Sequence, residues 1–194
     1  MYKINIPTSD TLIVSFAGNA KLFGGIPRFE FVQFLKQFDV SKHFYLDEQS
    51  DLYHKGLAGI TSSIDETVTY LKNEIKNYKR VLFLGNSGGG YAAILFGSLL
   101  EVTSVIAFVP QTIRHNAVVD EKYRDSSIFI NNKTKYYIYG DTSIVNPLDC
   151  HHISHCERIA HHPNVFLTKK NGLHLKEMRD NGELFNILKT IINR

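Results

Sequence analysis

The stretch from Val81 to Ala93, Val-Leu-Phe-Leu-Gly-Asn-Ser-Gly-Gly-Gly-Tyr-Ala-Ala, constrains the fold more than any other part of the chain. Its four leading apolar residues read as a strand buried on both faces, and the small residues after Gly89 read as a closely packed helix. Joining the two through Gly85-Asn86-Ser87-Gly88-Gly89 demands a sharp turn with Ser87 at its apex, in a backbone conformation that side chains rarely adopt. Gly85 and Gly89 stand where a β-carbon would collide with the neighbouring strand or helix. The turn exposes the Ser87 hydroxyl at a helix N-terminus, where the Gly88 N–H faces any negative charge developing beside it. Other glycine-rich turns fit less well. A phosphate loop needs Gly-Lys-Ser/Thr, whereas Gly90 is followed by Tyr91. A dinucleotide site wants an acidic residue at the tip of the next strand, and that run, Ser104–Val109, ends in Pro110-Gln111.

A central buried strand needs neighbours. Apolar runs rich in β-branched and aromatic residues at Tyr2–Ile6, Leu12–Phe16, His43–Leu46, Val81–Leu84, Ser104–Val109, Lys135–Tyr139 and Val165–Thr168 read as strands. Helices are expected between them at Arg28–Phe38, along Ile64, Val68, Leu71, Ile75 and Tyr78 with Ser63 and Glu66 as a capping box, and at Gly89–Leu99, Pro147–Ala160 and Leu175–Ile192. Right-handed crossovers build this alternation into a three-layer α/β/α sandwich around a mainly parallel sheet, with the two chain-initial strands suggesting an antiparallel edge.

The 194 residues, 43% of them hydrophobic, suit one domain spanning 1–194. No apolar run approaches the ~20 residues that cross a bilayer, and Met1–Ile6 lacks the features of a secretion signal, so a cytoplasmic protein with no membrane insertion is expected. Cys150 and Cys156 are then free thiols. A net charge of +3 without a long basic run argues against a nucleic-acid partner and leaves a small-molecule or glycan substrate open.

If Ser87 is a nucleophile, it needs an oxyanion loop, a base and an acid. The run Leu12–Phe16 leads into Ala17-Gly18-Asn19, whose N–H groups are candidates for the donor that completes the oxyanion hole with Gly88. His174, just past the run Val165–Thr168 and ahead of the last helix, is the candidate general base. Two aspartates compete as its acid. Asp141 follows Gly140 at a strand tip, which favours it by position, although a Gly-Asp turn also caps its own backbone. Asp149 lies at the expected start of the helix Pro147–Ala160, where a carboxylate also suits the helix dipole.

With strand, small-residue loop, serine turn, acid and histidine in that chain order, the sequence resembles the α/β hydrolases over nearly its whole length. More narrowly, Phe16-Ala17-Gly18 with Gly24-Gly25-Ile26-Pro27, the turn followed by Tyr91-Ala92-Ala93, Phe108–Thr112 and Leu148-Asp149-Cys150-His151-His152 are similar to small lid-less hydrolase-like proteins of bacterial capsule and other surface-polysaccharide synthesis. This resemblance implies a hydrolase fold with little or no lid, an ester or acyl-group reaction on a glycan or its precursor, and no cofactor. It favours Asp149 as the acid. Gly88 departs from the pattern, since many such turns carry a larger residue there, and it is expected to enlarge the space beside the donor. The expected activity is a serine hydrolase of esterase or deacylase type. An acyltransferase with the same triad, and a non-catalytic binding or assembly protein on the same fold, are the alternatives.

Two features invite other readings. His151, His152, His155, Cys156, His161 and His162 crowd one expected helix, where His151 with His155, or His152 with Cys156, would lie one turn apart and chelate a metal. A structural zinc needs four ligands and no further motif supplies them, so an amphipathic helix without metal is expected. Lys21, Arg28, His54 and Arg114 fall in segments near the mouth of the site, a faint hint of an anionic or sugar ligand against which scattered surface charge is the favoured reading.

Overall fold

The computed structural model describes residues 1–19, 28–114 and 120–194. Seven strands, β1 (Tyr2–Ile4), β2 (Thr11–Phe16), β3 (Ser41–Tyr45), β4 (Arg80–Asn86), β5 (Ser104–Phe108), β6 (Lys135–Asp141) and β7 (Val165–Lys170), form one sheet in the order β1-β3-β2-β4-β5-β6-β7. Every expected strand is present. Only β1 is antiparallel, and it pairs with β3, not with β2. The edge is therefore antiparallel as expected, but β2 sits inside the sheet between β3 and β4, with both pairings parallel.

Alternation along the central strands divides the core into two layers. Phe83 and Val105 face one side with α2 (Ile64–Ile75) and α3 (Gly88–Leu99); Leu82 and Ile106 face the other with α1 (Val32–Leu35), α5 (Leu175–Asp180) and α6 (Glu183–Ile192). Covering both faces is why β4 and β5 read as unbroken apolar runs. The result is the expected α/β/α sandwich. Among the described residues no helix is long and apolar enough to cross a membrane.

The helices depart from the sequence pattern where local polar chemistry or backbone geometry intervenes. Ser63 Oγ accepts from the Glu66 N–H at 3.2 Å as expected, but the Glu66 carboxylate reaches Ser62 N, one residue short of a true capping box. Phe31 has φ of 62°, so the expected helix Arg28–Phe38 is confined to α1. The expected helix Leu175–Ile192 breaks at Gly182, whose φ is 82°. In Pro147–Ala160 only α4 (Ser154–Glu157) is helical. Upstream of it the side chains of Asn146, Asp149 and His152 each accept the N–H two residues on, which gives the backbone an alternative to the helical ladder.

Candidate active site

The turn after β4 has the strain its sequence implies. Ser87 adopts φ 54°, ψ −119° at the N-cap of α3, a conformation costing on the order of 1–3 kcal/mol that the surroundings must impose. They do so through the backbone: Ser87 N donates to Phe108 O at 2.9 Å, and Tyr91 N donates to Ser87 O at 3.1 Å. A β-carbon on Gly85 would run into the Gly89 carbonyl, and one on Gly89 into the carbonyl of Phe16 at the end of β2. Both glycines are required as expected.

The Ser87 hydroxyl is hydrogen-bonded to Nε2 of His151 at 2.6 Å. Behind it, His151 Nδ1 lies 3.6 Å from Asp149 Oδ1, which also accepts the His151 backbone N–H at 2.8 Å. This line of serine, imidazole and carboxylate differs from the expected one in its histidine. His174 lines the same cavity and is exposed, but among the described residues its side chain bonds neither Ser87 nor Asp149. The reason lies in the chain after β6, which folds back over the strand ends and bridges Asp141 to His152, bringing His151 onto Ser87. The motif that first suggested a metal-binding helix thus contains the serine's partner.

Of the two aspartates, Asp149 is the one beside this histidine. Asp141 is buried and has another duty: its carboxylate accepts from Ser143 N and Oγ and from the N–H groups of Gly172 and Leu173, at 2.7–2.9 Å. These donors hold it down to about 2 against the opposing effect of burial. Asp141 therefore caps its own turn, as the Gly-Asp reading allowed, and clamps the loop leading to His174.

The expected oxyanion residues separate. The Gly88 N–H opens α3, one of the helix donors without an intrahelical acceptor. Gly18 and Asn19 line the cavity with it. Ala17 does not belong to the set: its N–H is donated to Tyr45 O at 3.1 Å and its carbonyl accepts from the Tyr53 hydroxyl, so it is locked inside the core. The space beside Gly88 is not enlarged either, because a β-carbon there would lie 2.7 Å from Leu52 Cδ2 and 3.0 Å from Asn19 Oδ1. Glu30, absent from the sequence reading, also lines the cavity. Burial pushes its carboxyl up to about 7, against the opposing pull of the Gly18 N–H and of the Arg28 charge.

The remaining candidates disperse. His155 is buried with Nδ1 3.2 Å from Thr112 N, and Cys156 is buried in the core, so neither of the two pairs considered as chelators forms on a helix. Among the described residues Asp149, Cys150 and His151 do bring one ligand atom each within 4.8 Å of one another, but this is the imidazole that serves Ser87. His54 is buried against Tyr91, and Arg114 is buried with its guanidinium on Asp51 O. Lys21 and the Gly24–Pro27 motif lie outside the described residues.

The sheet order, the strained serine after β4 and the histidine folded onto it define an α/β-hydrolase fold with a serine at its elbow. Among solved structures, a capsule O-acetyltransferase of Neisseria meningitidis serogroup A has a TM-score of 0.66 at 15% identity, over 99% of this chain and 90% of that one. A mutant of the same O-acetyltransferase in complex with CoA gives 0.64 at 12%, over 94% and 89%. The metagenomic α/β hydrolase MGS-MChE2, from sediments of the Mar Chica lagoon, gives 0.62 at 16%, over 97% and 91%. These likenesses carry the fold. No protein-family profile and no curated protein matches the sequence.

Proposed function

We propose that the protein is a serine esterase or deacylase in which Ser87 is the nucleophile and His151 its base. The observation that carries this reading is the 2.6 Å contact of Ser87 Oγ with His151 Nε2 at a strained helix N-terminus. As Oγ attacks the acyl carbonyl, its proton passes to Nε2, and the carbonyl oxygen becomes an anion facing the Gly88 N–H. Asp149 stabilises the imidazolium through space. The imidazolium then protonates the departing alcohol as its bond to the acyl carbon breaks. Water then attacks the acyl carbon as Nε2 takes its proton; the acyl–Oγ bond breaks, the acid leaves, and Nε2 returns the proton to Oγ, restoring Ser87.

Acyl transfer is the second reading, because a sugar hydroxyl in place of water resolves the same acyl-enzyme. It is favoured by the O-acetyltransferase among the structural neighbours. A capsule or surface glycan as substrate rests on the resemblance of the Asp149–His152 segment and on that same neighbour. The test is labelling by a fluorophosphonate with mass mapping, together with turnover of a nitrophenyl acetate. Modification at Ser87, lost in Ser87→Ala along with turnover, is expected; turnover undiminished in that variant would overturn the serine mechanism. Adding an oligosaccharide acceptor separates the two readings, since transfer yields an acetylated sugar and hydrolysis yields acetate alone.

A further inference from the structure

The cavity over Ser87, about 600 Å³, does not end at the catalytic groups. It shares Glu30, Asn86, Leu175 and Lys176 with a second cavity of about 500 Å³ lined by residues of α1, α5 and the start of α6. The second cavity is lined by three cations, Arg28, Lys176 and Arg179, together with the rings of Phe29 and Phe31. Among the described residues the Lys176 ammonium has neither an ion pair nor a hydrogen bond. Arg179 is paired with the adjacent Asp180 at 2.7 Å, but both are about half exposed, so the pair contributes little and re-forms elsewhere at small cost. The Arg28 charge lies near enough to the Glu30 carboxyl to oppose the effect of its burial, without an ion pair between them among the described residues.

Glu30 stands at the junction of the two cavities. Among the described residues its Oε2 is buried without a hydrogen-bond partner, which is costly for an ionised carboxylate and less so for a protonated one. Among the described residues lining the groove it is the one acid against three cations, and its raised affinity for a proton leaves it only part-charged near neutral pH. The charge balance of these lining residues is positive.

We propose that the groove from Ser87 to Arg179 binds a negatively charged substrate, with its phosphate or carboxylate group among Arg28, Lys176 and Arg179 and its acyl ester at Ser87. The placement of the ester rests on Ser87 being the nucleophile; the anion site does not. Sugars carrying a phosphate or a uronic carboxylate have the required chemistry, and both anions are recognised by the same guanidinium and ammonium groups.

The experiment compares acetate release from acetylated glucose, acetylated glucuronic acid and acetylated glucose phosphate. The expected result is a kcat/KM for one or both anionic esters at least about tenfold above the neutral one, through KM. That preference shrinks between about 0.01 M and 1 M salt, as the Debye length falls from about 30 Å to 3 Å, and collapses in the double variant Arg28→Ala, Lys176→Ala. Preference for phosphate or for carboxylate names the anion. If nitrophenyl acetate is turned over but the three sugar esters are used equally, the anion site is wrong and the serine reading stands. If no ester is turned over, the serine reading fails, and binding of glucose phosphate, glucuronic acid and glucose to the Ser87→Ala protein by titration calorimetry decides the groove alone. Equal binding of the three, or anion binding unaltered in the double variant, overturns the proposal.

Discussion

Replacing His151 and His174 separately by alanine distinguishes the base that the geometry selects from the one chain order suggests. His151 Nε2 is within hydrogen-bond range of Ser87 Oγ, so its loss removes the proton acceptor; serine and histidine act as a unit, and losses reach about 10⁶ in turnover in comparable pairs. A loss of at least about 10³ is expected for His151→Ala and less than about tenfold for His174→Ala. Asp149 sets a second magnitude. Its Oδ1 lies 3.6 Å from His151 Nδ1, beyond a true hydrogen bond, and the two side chains are 42% and 35% exposed. At that separation, with an effective dielectric of about 40 to 80, a carboxylate stabilises an imidazolium by about 1 to 2 kcal/mol. Asp149→Asn is therefore expected to lower turnover about 5- to 30-fold, well short of the ~10⁴ lost when a buried, bonded acid is removed. Steady-state release of nitrophenol, with circular dichroism to confirm folding, reads all three. A His174→Ala variant that is dead while His151→Ala stays within tenfold of wild type refutes the reasoning, and so does a 10⁴ loss in Asp149→Asn.

Three further outcomes follow from other parts of the site. Asp141→Ala, which strands the N–H groups of Gly172 and Leu173, is expected to cost about 2 to 4 kcal/mol of stability by denaturant titration. Because its carboxyl is held down to about 2, the stabilisation is complete above the ordinary carboxylate value of about 3.9 and is lost as pH falls through 2; Asp141→Asn should flatten that acid slope. A maleimide is expected to modify Cys150, which is exposed on the rim of the Ser87 cavity, and to block ester turnover, whereas Cys156, 1% exposed and pushed up to about 12 by burial, should react only on unfolding. Gly85→Ala forces a β-carbon into the Gly89 carbonyl and should cost at least about 1 to 3 kcal/mol in thermal stability, with a larger loss of activity, since displacing the nucleophile by 1 Å costs about 10².

What the sequence disclosed, and what it withheld, divides along a physical line. The inner strands β2 to β6, buried on both faces, carry their identity in their own composition, and the half-exposed edge strands β1 and β7 are legible from their β-branched and aromatic residues, as are Gly85, Ser87 and Gly89, which backbone sterics alone dictate. The bounds of α4, and the break between α5 and α6, depend on which side chains capture nearby N–H groups and on single residues with positive φ, which periodicity does not register. His151 was hidden for the same reason. In a helix it would lie one turn from His155; in a chain of side-chain-capped turns it lies over Ser87. The signal was present in the alternation Asn146, Asp149, His152, each able to cap the backbone two residues on. Glu30 has no local signature, because its importance comes from burial at the junction of two cavities formed by distant parts of the chain.

The sheet explains why two histidines line one cavity. The chain turns from β2 to β3 on one side and then from β4 to β5 on the other, so the ends of β2 and β4 flank the switch point where α/β sheets bind ligands. Segments following β2, β4, β5, β6 and β7 all empty into one cavity, contributing Gly18, Ser87, Gln111, His151 and His174 in turn. Backbone strain fixes Ser87; a base needs only an imidazole nitrogen within hydrogen-bond reach, and both the β6 and β7 excursions end close enough to line the same space. A double variant, His151→Ala with His174→Ala, measures whether the second histidine has any share. If His151 alone moves the proton, the double variant has the turnover of His151→Ala, because a group that never accepts the proton has nothing further to lose. If His174 takes over when His151 is absent, the double variant falls at least about tenfold below either single variant, and the assignment of one base to Ser87 is overturned.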